Sequence, residues 1–549
     1  MSDAAHRTPR DGPATSAASP WWKHGVIYQI YVRSFADSNG DGVGDLRGIE
    51  AHLDYLAGSH DSLGVDAIWL TPFYRTPDRD FGYDVSDFRD VDPRFGNLED
   101  FDSLLEAAHA RGIRVILDFV PNHTSDQHPW FRASRESRDN PYRDWYIWRE
   151  GRGRRPPNRW RAVPGGSAWS WDEQTRQYFY HAFLDFQPDL NWRNPEVRKA
   201  IMGDMAFWLD RGVDGFRLDL VNHLIEDDAL RDNPRWWAGP FQESRHTRNH
   251  PETHAAIAEL RALTDRYADR MMVGEIVSMP WERSPAHEYT HDRELHTAFD
   301  LSLPAQIRFS ASVWARIIDA FERDTGSGWP AYTLSNHDVP RHMGRLGGHL
   351  FYGYGRHAWA RARVAAAFLL TVRGTPFLYY GEELGMTNRW WPRREICDPM
   401  GRPWWPLYQG RDAARTPMLW NGNPGAGFSS AKPWLPVDPD AEALNVEAAR
   451  AHPGSLWNFY RAILALRRAT PPLHSGSYER LEGTPRAVFA FRRQHQDQEV
   501  WVALNFSGRP RTIEPVSPGR RLLSTAAGKN SIGRRVELEP HGVLVVESA

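Results

Sequence analysis

"GVDGFRLD", residues 212–219, has the pattern of a buried strand that ends in charged residues. Phe216 and Leu218 alternate with Arg217 and Asp219, and successive side chains of a strand point to opposite faces. The two charged side chains therefore share one side of the strand, at its carboxyl end. In a parallel α/β barrel, the carboxyl ends of the strands form the catalytic face.

Seven further short apolar runs repeat this pattern along the chain. They are "GVIYQIYVRSF", "VDAIWLTPF", "IRVILDFV", "MMVGEI", "HTAFDLSL", "AYTLSNHD" and "GTPFLYYGEE". Amphipathic stretches such as "NLEDFDSLLEAAHARG" lie between several of them, as expected for helices. Eight near-continuous apolar strands that alternate with helices predict an α/β fold, a (β/α)8 TIM barrel.

The remaining segments predict additions to this barrel. The interval 124–190, after the third strand, is too long for a loop and predicts an inserted B domain. Residues 471–549 alternate apolar and polar positions between turn residues, which predicts a C-terminal antiparallel β-domain. The barrel then spans 21–123 and 191–470, with a second insertion from about 386 to 428, and residues 1–20 read as a disordered tail.

Composition excludes several classes of function. The 549 residues carry a net charge of -3, so no strong field attracts nucleic acid or an anionic membrane. The first twenty residues lack the apolar region of a signal peptide, and no run of about eighteen apolar residues is present. Cys397 is the single cysteine, which excludes an internal disulfide. These features predict a cytoplasmic protein without nucleic-acid or membrane partners, and they leave the oligomeric state open.

Acidic side chains recur at the ends of the predicted strands. Asp219 ends the fourth strand, Glu275 lies in "MMVGEI" and Asp338 in "SNHD". A barrel brings such strand ends to one mouth, together with the imidazoles of His123 and His337. Three carboxylates that converge on one mouth indicate a catalytic site far more specifically than a single carboxylate does. A single carboxylate would suggest a salt bridge or a helix cap.

Their surroundings suggest different roles for the carboxylates. Arg217 lies two residues before Asp219 and should keep that carboxylate ionised, as a nucleophile requires. Glu275 follows an apolar strand and lies near other carboxylates, so its pKa should be raised and it should hold a proton, as a general acid must. Two carboxyl groups that flank one bond are what glycoside hydrolysis requires.

At this point the chain resembles the α-amylase family of glycoside hydrolases, and within it the oligo-1,6-glucosidase and α-glucosidase branch. The matching stretches are "DFVPNH", "QPDLN", "GFRLD", "GEI", "SNHD" and "GRDAARTPMLW", in the family's order. The resemblance implies a covalent glucosyl-enzyme and retention of anomeric configuration. It implies that Asp219 is the nucleophile, Glu275 the acid/base and Asp338 the transition-state stabiliser, with the two working carboxyls about 5–5.5 Å apart.

The resemblance also implies a closed pocket for one terminal glucose. Asp80, from "RDFGYD", and Arg415, from "AARTPM", match a pair that clamps the outermost hydroxyl, and Tyr83 matches a residue that stacks on the sugar ring. Phe183 is expected to line the pocket from the inserted domain. The remaining residues that the resemblance implies as sugar-binding partners are His123, Arg217 and His337. Such a pocket predicts release of single glucose units from non-reducing ends of small α-glucosides.

The stretch "DSNGDGVGD", residues 37–45, predicts a hard-cation loop. Its spacing is close to that of an EF-hand loop, but the bidentate glutamate at position twelve is absent and the flanking sequence is a strand. Similar enzymes carry a structural metal here, held by the side chains that match Asp37, Asn39, Asp41 and Asp45 and by the carbonyl that matches Val43. Ca²⁺ is the expected ion, with Mg²⁺ as an alternative, and a metal-free Gly-Asp turn is the simpler reading.

Sequence leaves the exact reaction open. Leu220, after the nucleophile, matches neither the valine usual in relatives that prefer α-1,6 bonds nor the residues of α-1,4 enzymes, and we predict a preference for α-1,4 or other short α-glucosides over isomaltose. A transglucosylase, a sucrose isomerase or a trehalose synthase would use the same glucosyl-enzyme. A non-catalytic relative, such as the glycoprotein subunit of amino-acid transporters, is disfavoured because all three carboxylates are present.

Overall fold

The computed structural model describes residues 19–234, 243–278, 284–291, 293–325, 328–347, 353–402, 405–514, 517–526, 530–533 and 535–549. Nearly all of the predicted N-terminal tail therefore lies outside the described residues. So does part of the segment "HLIEDDALRDNPRWW", residues 223–237, which we expect to shape the acceptor side of the pocket.

Eight parallel strands form a closed barrel, as predicted. They are β1 (Ile27–Ile30), β2 (Ala67–Leu70), β3 (Arg114–Phe119), β4 (Gly215–Leu218), β5 (Met271–Ile276), β6 (Thr297–Asp300), β7 (Ala331–Thr333) and β8 (Thr375–Tyr379). Each strand pairs with the next along the chain, and β8 closes on β1. Each lies within one of the eight apolar runs, which confirms the predicted fold class.

Helices surround the barrel and follow sequence signals for helix starts. Asn97 caps Leu98–Ala110 in a capping box with Asp100, and Asn194 caps Pro195–Asp210, which has proline at its first position. The other α-helices are Trp21–His24, Val32–Phe35, Leu46–Ala51, Leu53–Leu56, Pro129–Glu136, Glu252–Thr264, Ala311–Thr325, His342–Gly347, Ala358–Thr371, Val446–Ala451, Leu456–Ala469 and Pro471–Ser475. Short 3-10 helices span Arg143–Trp145, Val221–His223, Ala286–Thr290, Arg393–Glu395, Asp412–Ala414 and Pro424–Gly427.

Two smaller groups of strands accompany the barrel. Tyr74–Arg75 pairs with Asp87–Val91 after β2. Between β3 and β4, a three-stranded antiparallel sheet contains Trp148–Arg149, Trp169–Asp172 and Gln177–Tyr180. This sheet lies in the interval of the predicted B domain, and it packs around the buried rings of Trp160, Trp169 and Tyr180. The domain boundaries themselves stay predictions.

The C-terminal segment forms an antiparallel sheet, as its alternating pattern predicts. Its main strands are β9 (Val488–His495), β10 (Gln498–Asn505) and β11 (Val543–Ser548). Glu479–Arg480, Gly519–Ser524 and Ser531–Ile532 complete it, and Arg511–Ile513 pairs with Val536–Leu538 beside it. Within the described residues, no helix has the length and apolar character needed to cross a lipid bilayer.

Aromatic side chains fill the barrel interior beneath the catalytic face. Phe299 of β6 packs edge-on against Phe377 of β8 at a centroid distance of 4.6 Å, and Trp69 of β2 lies 5.7 Å from Phe299. The indole nitrogen of Trp69 donates a hydrogen bond to Asp118 at the end of β3, at 3.2 Å. The packed interior thus supports the polar groups at the strand ends directly.

Candidate active site

One buried guanidinium organises the carboxylates at the ends of β3, β4 and β5. Arg217 lies opposite Asp118 in the register of β3 and β4, and its Nη1 donates to Asp118 at 2.7 Å and to Asp219 at 2.5 Å. Its Nη2 donates to Oε2 of Glu275 at 2.5 Å. Asp219 and Glu275 therefore lie on either side of one guanidinium group, which draws these two residues from different strands to a common point.

Burial sets the protonation of this pair. Removal from water raises the pKa of Glu275 to about 8, with Arg217 opposing the shift and the charge of Asp219 adding to it. Burial also raises the pKa of Asp219, to about 7, although Arg217 opposes this shift too. Burial therefore raises the pKa of both carboxyls. At Asp219 burial outweighs Arg217, whereas the residue pattern alone predicts that Arg217 keeps this carboxylate ionised.

Asp338, the third carboxylate, has a cationic environment. Nη2 of Arg415 donates to its Oδ1 at 2.9 Å, Nη1 of Arg411 lies 3.5 Å from the same atom, and His337 Nε2 lies 3.0 Å from Oδ2. Burial opposes its ionisation, but the guanidinium groups of Arg415 and Arg411 hold the pKa of Asp338 well below its ordinary value. Asp338 is thus ionised in the pH range where Asp219 and Glu275 titrate.

The three carboxylates open onto one cavity of about 280 Å³. Seven of the predicted residues line it: Asp80, Tyr83, His123, Phe183, Asp219, Glu275 and Asp338. The other lining residues are Val163, Pro164, Leu184, Gln187, Leu220, Val277, Leu301, Met400, Tyr408 and Arg411. The inserted segment, the loops after β4 to β7 and the 386–428 segment therefore all contribute to the wall.

Imidazole rings beside the cavity are neutral and held in place. Burial lowers the pKa of His123 to about 4, and its Nε2 lies 3.1 Å from the carbonyl of Tyr83. Burial also lowers the pKa of His337, whose Nε2 lies 2.6 Å from the Tyr83 hydroxyl and whose ring stacks on that of Tyr83 at 5.4 Å. Phe183 packs 5.7 Å from His123. A neutral ring can hydrogen-bond sugar hydroxyls without competing for the proton on Glu275.

Three predicted sugar-binding residues lie behind the cavity wall. Arg217, His337 and Arg415 are each at most 1% exposed, and none of them lines the cavity. Arg217 supports Asp219 and Glu275, as described above. Arg415 donates from Nε to the carbonyl of His337 at 2.7 Å. In this structure these three residues orient the groups that face the cavity.

Asp80 is held by two side chains at the cavity wall. Nη2 of Arg411 donates to Oδ1 of Asp80 at 2.6 Å, and Gln187 donates to its Oδ2 at 3.0 Å. Asp80 is thus joined to Arg411 in this structure, and the expected contact of Asp80 and Arg415 with a sugar hydroxyl stays a prediction. The 3-10 turn Asp412–Ala414 separates the two arginines and directs Arg411 into the cavity and Arg415 beneath Asp338.

Other residues of the site were given no role from the sequence. Asp118, which lies behind the wall, receives hydrogen bonds from Arg217, Trp69 and Tyr83. Tyr408 and Met400 reach the cavity from the 386–428 segment. A charged residue at a strand end was a signal for Asp118, whereas nothing in the irregular segment around Tyr408 pointed toward the cavity.

Comparisons with known proteins agree with this geometry. The family model described as "Alpha-amylase: Alpha amylase, catalytic domain" matches residues 29–476. The chain belongs to the α-amylase family. A probable α-glucosidase of Rhizobium meliloti (strain 1021) is 42% identical over 509 residues, covering 90% of this chain and 91% of that protein. The oligo-1,6-glucosidase of Parageobacillus thermoglucosidasius is 39% identical, covering 89% and 90%.

A solved structure of similar extent belongs to an α-glucosyl transfer enzyme, XgtA. It has a TM-score of 0.90 and 41% sequence identity, and the match covers 97% of this chain and 100% of that one. The relatives named as α-glucosidases and oligo-1,6-glucosidases establish that this α-amylase-family chain is a glycoside hydrolase.

The 37–45 loop of this family member is ordered by its own backbone. Asp37 accepts from the amides of Gly40 at 2.7 Å and Gly42 at 2.8 Å, and Asp41 accepts from Val43 at 2.8 Å. Asp45 caps the helix Leu46–Ala51. Carboxylate oxygens retain a second lone pair, so the donor chemistry still fits a hard cation.

The positions of the side chains support a metal site in this loop less strongly than the spacing of its acidic residues in the sequence does. Across the described residues, no three acidic, histidine or cysteine side chains gather closely enough to hold a metal ion. Asn39, which accepts from the amide of Asp41 at 2.9 Å, and the carbonyl of Val43 would have to complete the set. The calcium site stays a prediction.

Proposed function

We propose that this protein is a retaining, exo-acting α-glucosidase that releases glucose from the non-reducing ends of short α-glucosides. The observation that carries the proposal is the position of Asp219 and Glu275 on one guanidinium, Arg217, at the wall of a cavity of about 280 Å³. Two carboxyls beside one small cavity support acid and nucleophile roles in glycoside hydrolysis, and the family resemblance supports retention.

The chemistry proceeds in two steps. Glu275 donates its proton to the glycosidic oxygen while ionised Asp219 attacks the anomeric carbon, which gives a covalent glucosyl-enzyme and frees the leaving sugar. Glu275, now ionised, accepts a proton from water as that water attacks the same carbon, and Asp219 is released. Ionised Asp338 stabilises the positive charge that develops on the sugar ring in both transition states.

The exo specificity rests on the pair of Asp80 and Arg411. Both residues line the cavity, and a charge-assisted hydrogen bond of 2.6 Å joins them. We assign to this pair the closed end of the pocket, where it would bind the outermost hydroxyls of a terminal glucose. Tyr83 and Phe183 supply aromatic surface for the apolar face of the same sugar.

Glucosyl transfer is the second candidate function. The likeness to an α-glucosyl transfer enzyme favours it, because transfer and hydrolysis share the first step and differ in the acceptor of the second. Tyr408 lines the cavity and is 42% exposed, so it offers a ring at the mouth for an incoming sugar or alcohol. Sucrose isomerase and trehalose synthase activities would likewise differ from hydrolysis in the acceptor of the second step.

Leu220 supports a preference for α-1,4 and other short α-glucosides over isomaltose. It directly follows Asp219, lines the cavity and adopts the left-handed region, with φ of 47°. A branched side chain fixed at this point narrows the space for the leaving sugar. The 37–45 loop would hold a structural Ca²⁺ through Asp37, Asn39, Asp41, Asp45 and the Val43 carbonyl, where the ion would stiffen the loop after β1.

The test of the proposal combines point variants with product analysis. Cleavage of maltose is expected to fall by at least a hundredfold in Asp219→Asn and in Glu275→Gln. Asp228→Asn, which alters an exposed aspartate in the loop after β4, is the matched control and should retain activity. Glucose released initially as the α-anomer supports retention. Unchanged activity of either catalytic variant, or release of the β-anomer, would overturn the mechanism.

Incubation with maltose, sucrose and trehalose separates hydrolysis from transfer. Glucose as the main product supports the α-glucosidase, whereas oligosaccharides or isomerised disaccharides as the main products would establish the second candidate. Release of maltose in place of glucose from maltotetraose would contradict the removal of single glucose units.

A further inference from the structure

A second cavity, of about 330 Å³, lies at the end of the barrel opposite to the catalytic face. Its wall includes Val26 and Asp66, which precede β1 and β2, and Arg114, the first residue of β3. The helices Trp21–His24, Leu456–Ala469 and Pro471–Ser475 supply other parts of the wall. Its volume falls within the range of small-molecule sites, about 300–1,000 Å³. The side chains in the wall that carry a charge or an imidazole are His24, Asp66, Arg114, Arg467, Arg468 and His474.

The inner wall holds two buried guanidinium groups that form no ion pair among the described residues, although Asp66 attracts Arg467 and Glu322 attracts Arg493 from a greater distance. Arg467 is 1% exposed, and its guanidinium donates only to the carbonyls of Leu370, Leu473 and Gly374, at 2.8–3.0 Å. Arg493 behind it is fully buried and also donates only to carbonyls, one of them the same Leu473 oxygen at 3.0 Å. Within the described part of the chain, neither arginine forms an ion pair.

A helix end accounts for only part of this charge. The helix Ala358–Thr371 presents the carbonyls of Leu370 and Thr371 to Arg467 and Arg493. The C-terminal end of a helix is equivalent to roughly half a negative charge, whereas the two buried guanidinium groups together carry two positive charges. A buried charge without a directly bonded counter-ion is costly, so an anion in the cavity would offset part of this positive charge.

The carboxylates near the cavity are already engaged. Asp66 accepts from the amide of Val26 at 2.9 Å and from Arg468 at 3.1 Å. Arg114 pairs with Asp214 at 2.9 Å, and that carboxylate also contacts His109 at 2.6 Å. Asp66 therefore offsets the charge of Arg467 only from a distance, since both carboxylates have closer partners.

Two imidazoles in the wall each have a ring nitrogen that can form a further hydrogen bond. The rings of His24 and His474 lie 5.0 Å apart, and Nε2 of His24 is buried without a partner among the described residues, as is Nε of Arg467. His474 uses its Nδ1 on Ser475 at 2.7 Å, which leaves its Nε2 available.

Burial, followed by neighbouring cations, lowers the pKa of both rings, that of His474 to about 4. The groups that face His24 are Arg467, Lys23, Asp66 and His495, and those that face His474 are His24, Arg467, His495 and Arg493. Both rings are therefore neutral near pH 7, and an anion that enters the cavity would favour their protonation.

We propose that this cavity binds a small phosphorylated molecule, whose phosphate group is held by Arg467, Arg468 and the imidazoles of His24 and His474. A phosphate dianion matches the excess of cations and the number of available donors. The cavity is larger than a phosphate group needs, so an organic portion is expected to occupy the remainder, toward Trp21.

Calorimetric titration of the full-length protein tests this assignment. The probes are inorganic phosphate and glycerol 3-phosphate, and glycerol is the uncharged control. Saturable one-site binding of both phosphates is expected, tighter for glycerol 3-phosphate, with none for glycerol. Near pH 7 the heat should vary with the ionisation enthalpy of the buffer, because the imidazoles take up protons as the anion binds.

Variants locate the binding. Arg468→Ala removes a cation and leaves Asp66 unpaired, and His24→Ala removes a donor; each should raise the Kd at least tenfold. Arg461→Ala is the matched control, because Arg461 lies on the same helix and also pairs with a carbonyl and an aspartate, His60 and Asp61, but does not line the cavity. Its Kd should match that of the wild type.

The possible outcomes are distinct. Unchanged glucosidase activity in all three variants is expected, because these residues lie away from the catalytic face. Absence of saturable binding for both phosphates, or an unchanged Kd in both Arg468→Ala and His24→Ala, would overturn the proposal. Binding of inorganic phosphate with exclusion of glycerol 3-phosphate would overturn the assignment to an organic phosphate.

Discussion

Replacement of Glu275 by glutamine removes the proposed proton donor and keeps its size. The side chain lies at a site that is 6% exposed, and burial raises the pKa of Glu275 to about 8 from an ordinary value of 4.5. At pH 7, a group with a pKa of about 8 is roughly 90% protonated, whereas one at 4.5 is only about 0.3% protonated. The fold thus increases the population of the acid form about 300-fold.

The expected loss depends on the leaving group. For maltose, whose leaving sugar requires a proton, Glu275→Gln should lower kcat/KM by about 10²–10⁴-fold. For p-nitrophenyl α-glucoside the fall in kcat/KM should be much smaller, because nitrophenolate leaves without a proton. The glucosyl-enzyme should then accumulate, since water lacks its base, and azide should restore turnover because it needs none.

The assay is kcat/KM across pH 5–9 for both substrates. Wild-type enzyme should give a bell-shaped maltose profile, limited on the acid side by ionisation of Asp219, pKa about 7, and on the alkaline side by loss of the proton from Glu275, pKa about 8. These two values belong to the interacting pair as a whole. Glu275→Gln should lose the alkaline limb.

Glu382→Gln is the matched control. Glu382 is 1% exposed and burial raises its pKa to about 8 as well, but it hydrogen-bonds Tyr460 and does not line the cavity. Its variant should keep the alkaline limb. An alkaline limb that persists in Glu275→Gln, or equal losses on both substrates, would refute the assignment of Glu275 as the acid.

Three further predictions concern the pocket and the 37–45 loop. Arg411→Ala, which leaves Asp80 without its cation, should raise KM for maltose about 10–100-fold, whereas Arg415→Ala should act mainly on kcat through Asp338; steady-state kinetics showing the reverse pattern would contradict the geometry. Wild-type enzyme should cleave maltose faster than isomaltose, and Leu220→Ala should narrow that difference; equal or faster cleavage of isomaltose by the wild type rules the preference out. Chelation by EDTA should lower the Tm of the wild type, with recovery on adding Ca²⁺, but not that of Asp37→Ala; a wild-type Tm insensitive to EDTA would argue for a metal-free turn.

Local pattern was sufficient to predict the barrel strands. β5 spans Met271–Ile276, the whole of its apolar run, and β4 lies within the run that ends at Asp219. Strand ends were less predictable. The run "AYTLSNHD" predicts a long strand, but β7 stops at Thr333, and Asn336 then accepts from the amide of Asp338 in a turn. Side-chain bonds to the backbone ended that strand, and hydrophobic periodicity carries no record of them.

Sequence by itself determined the fold class and the three carboxylates, because alternation along a strand fixes which residues share a face and parallel strands in a barrel bring their ends together. Tertiary structure alone decided that Arg411 pairs with Asp80, and that burial outweighs Arg217 in setting the pKa of Asp219. The 410–420 segment has no repeating geometry, so spacing could not say which arginine faces the cavity. A pKa depends on the distance to every surrounding charge and on the exclusion of water, and both are set only when distant segments of the chain pack together.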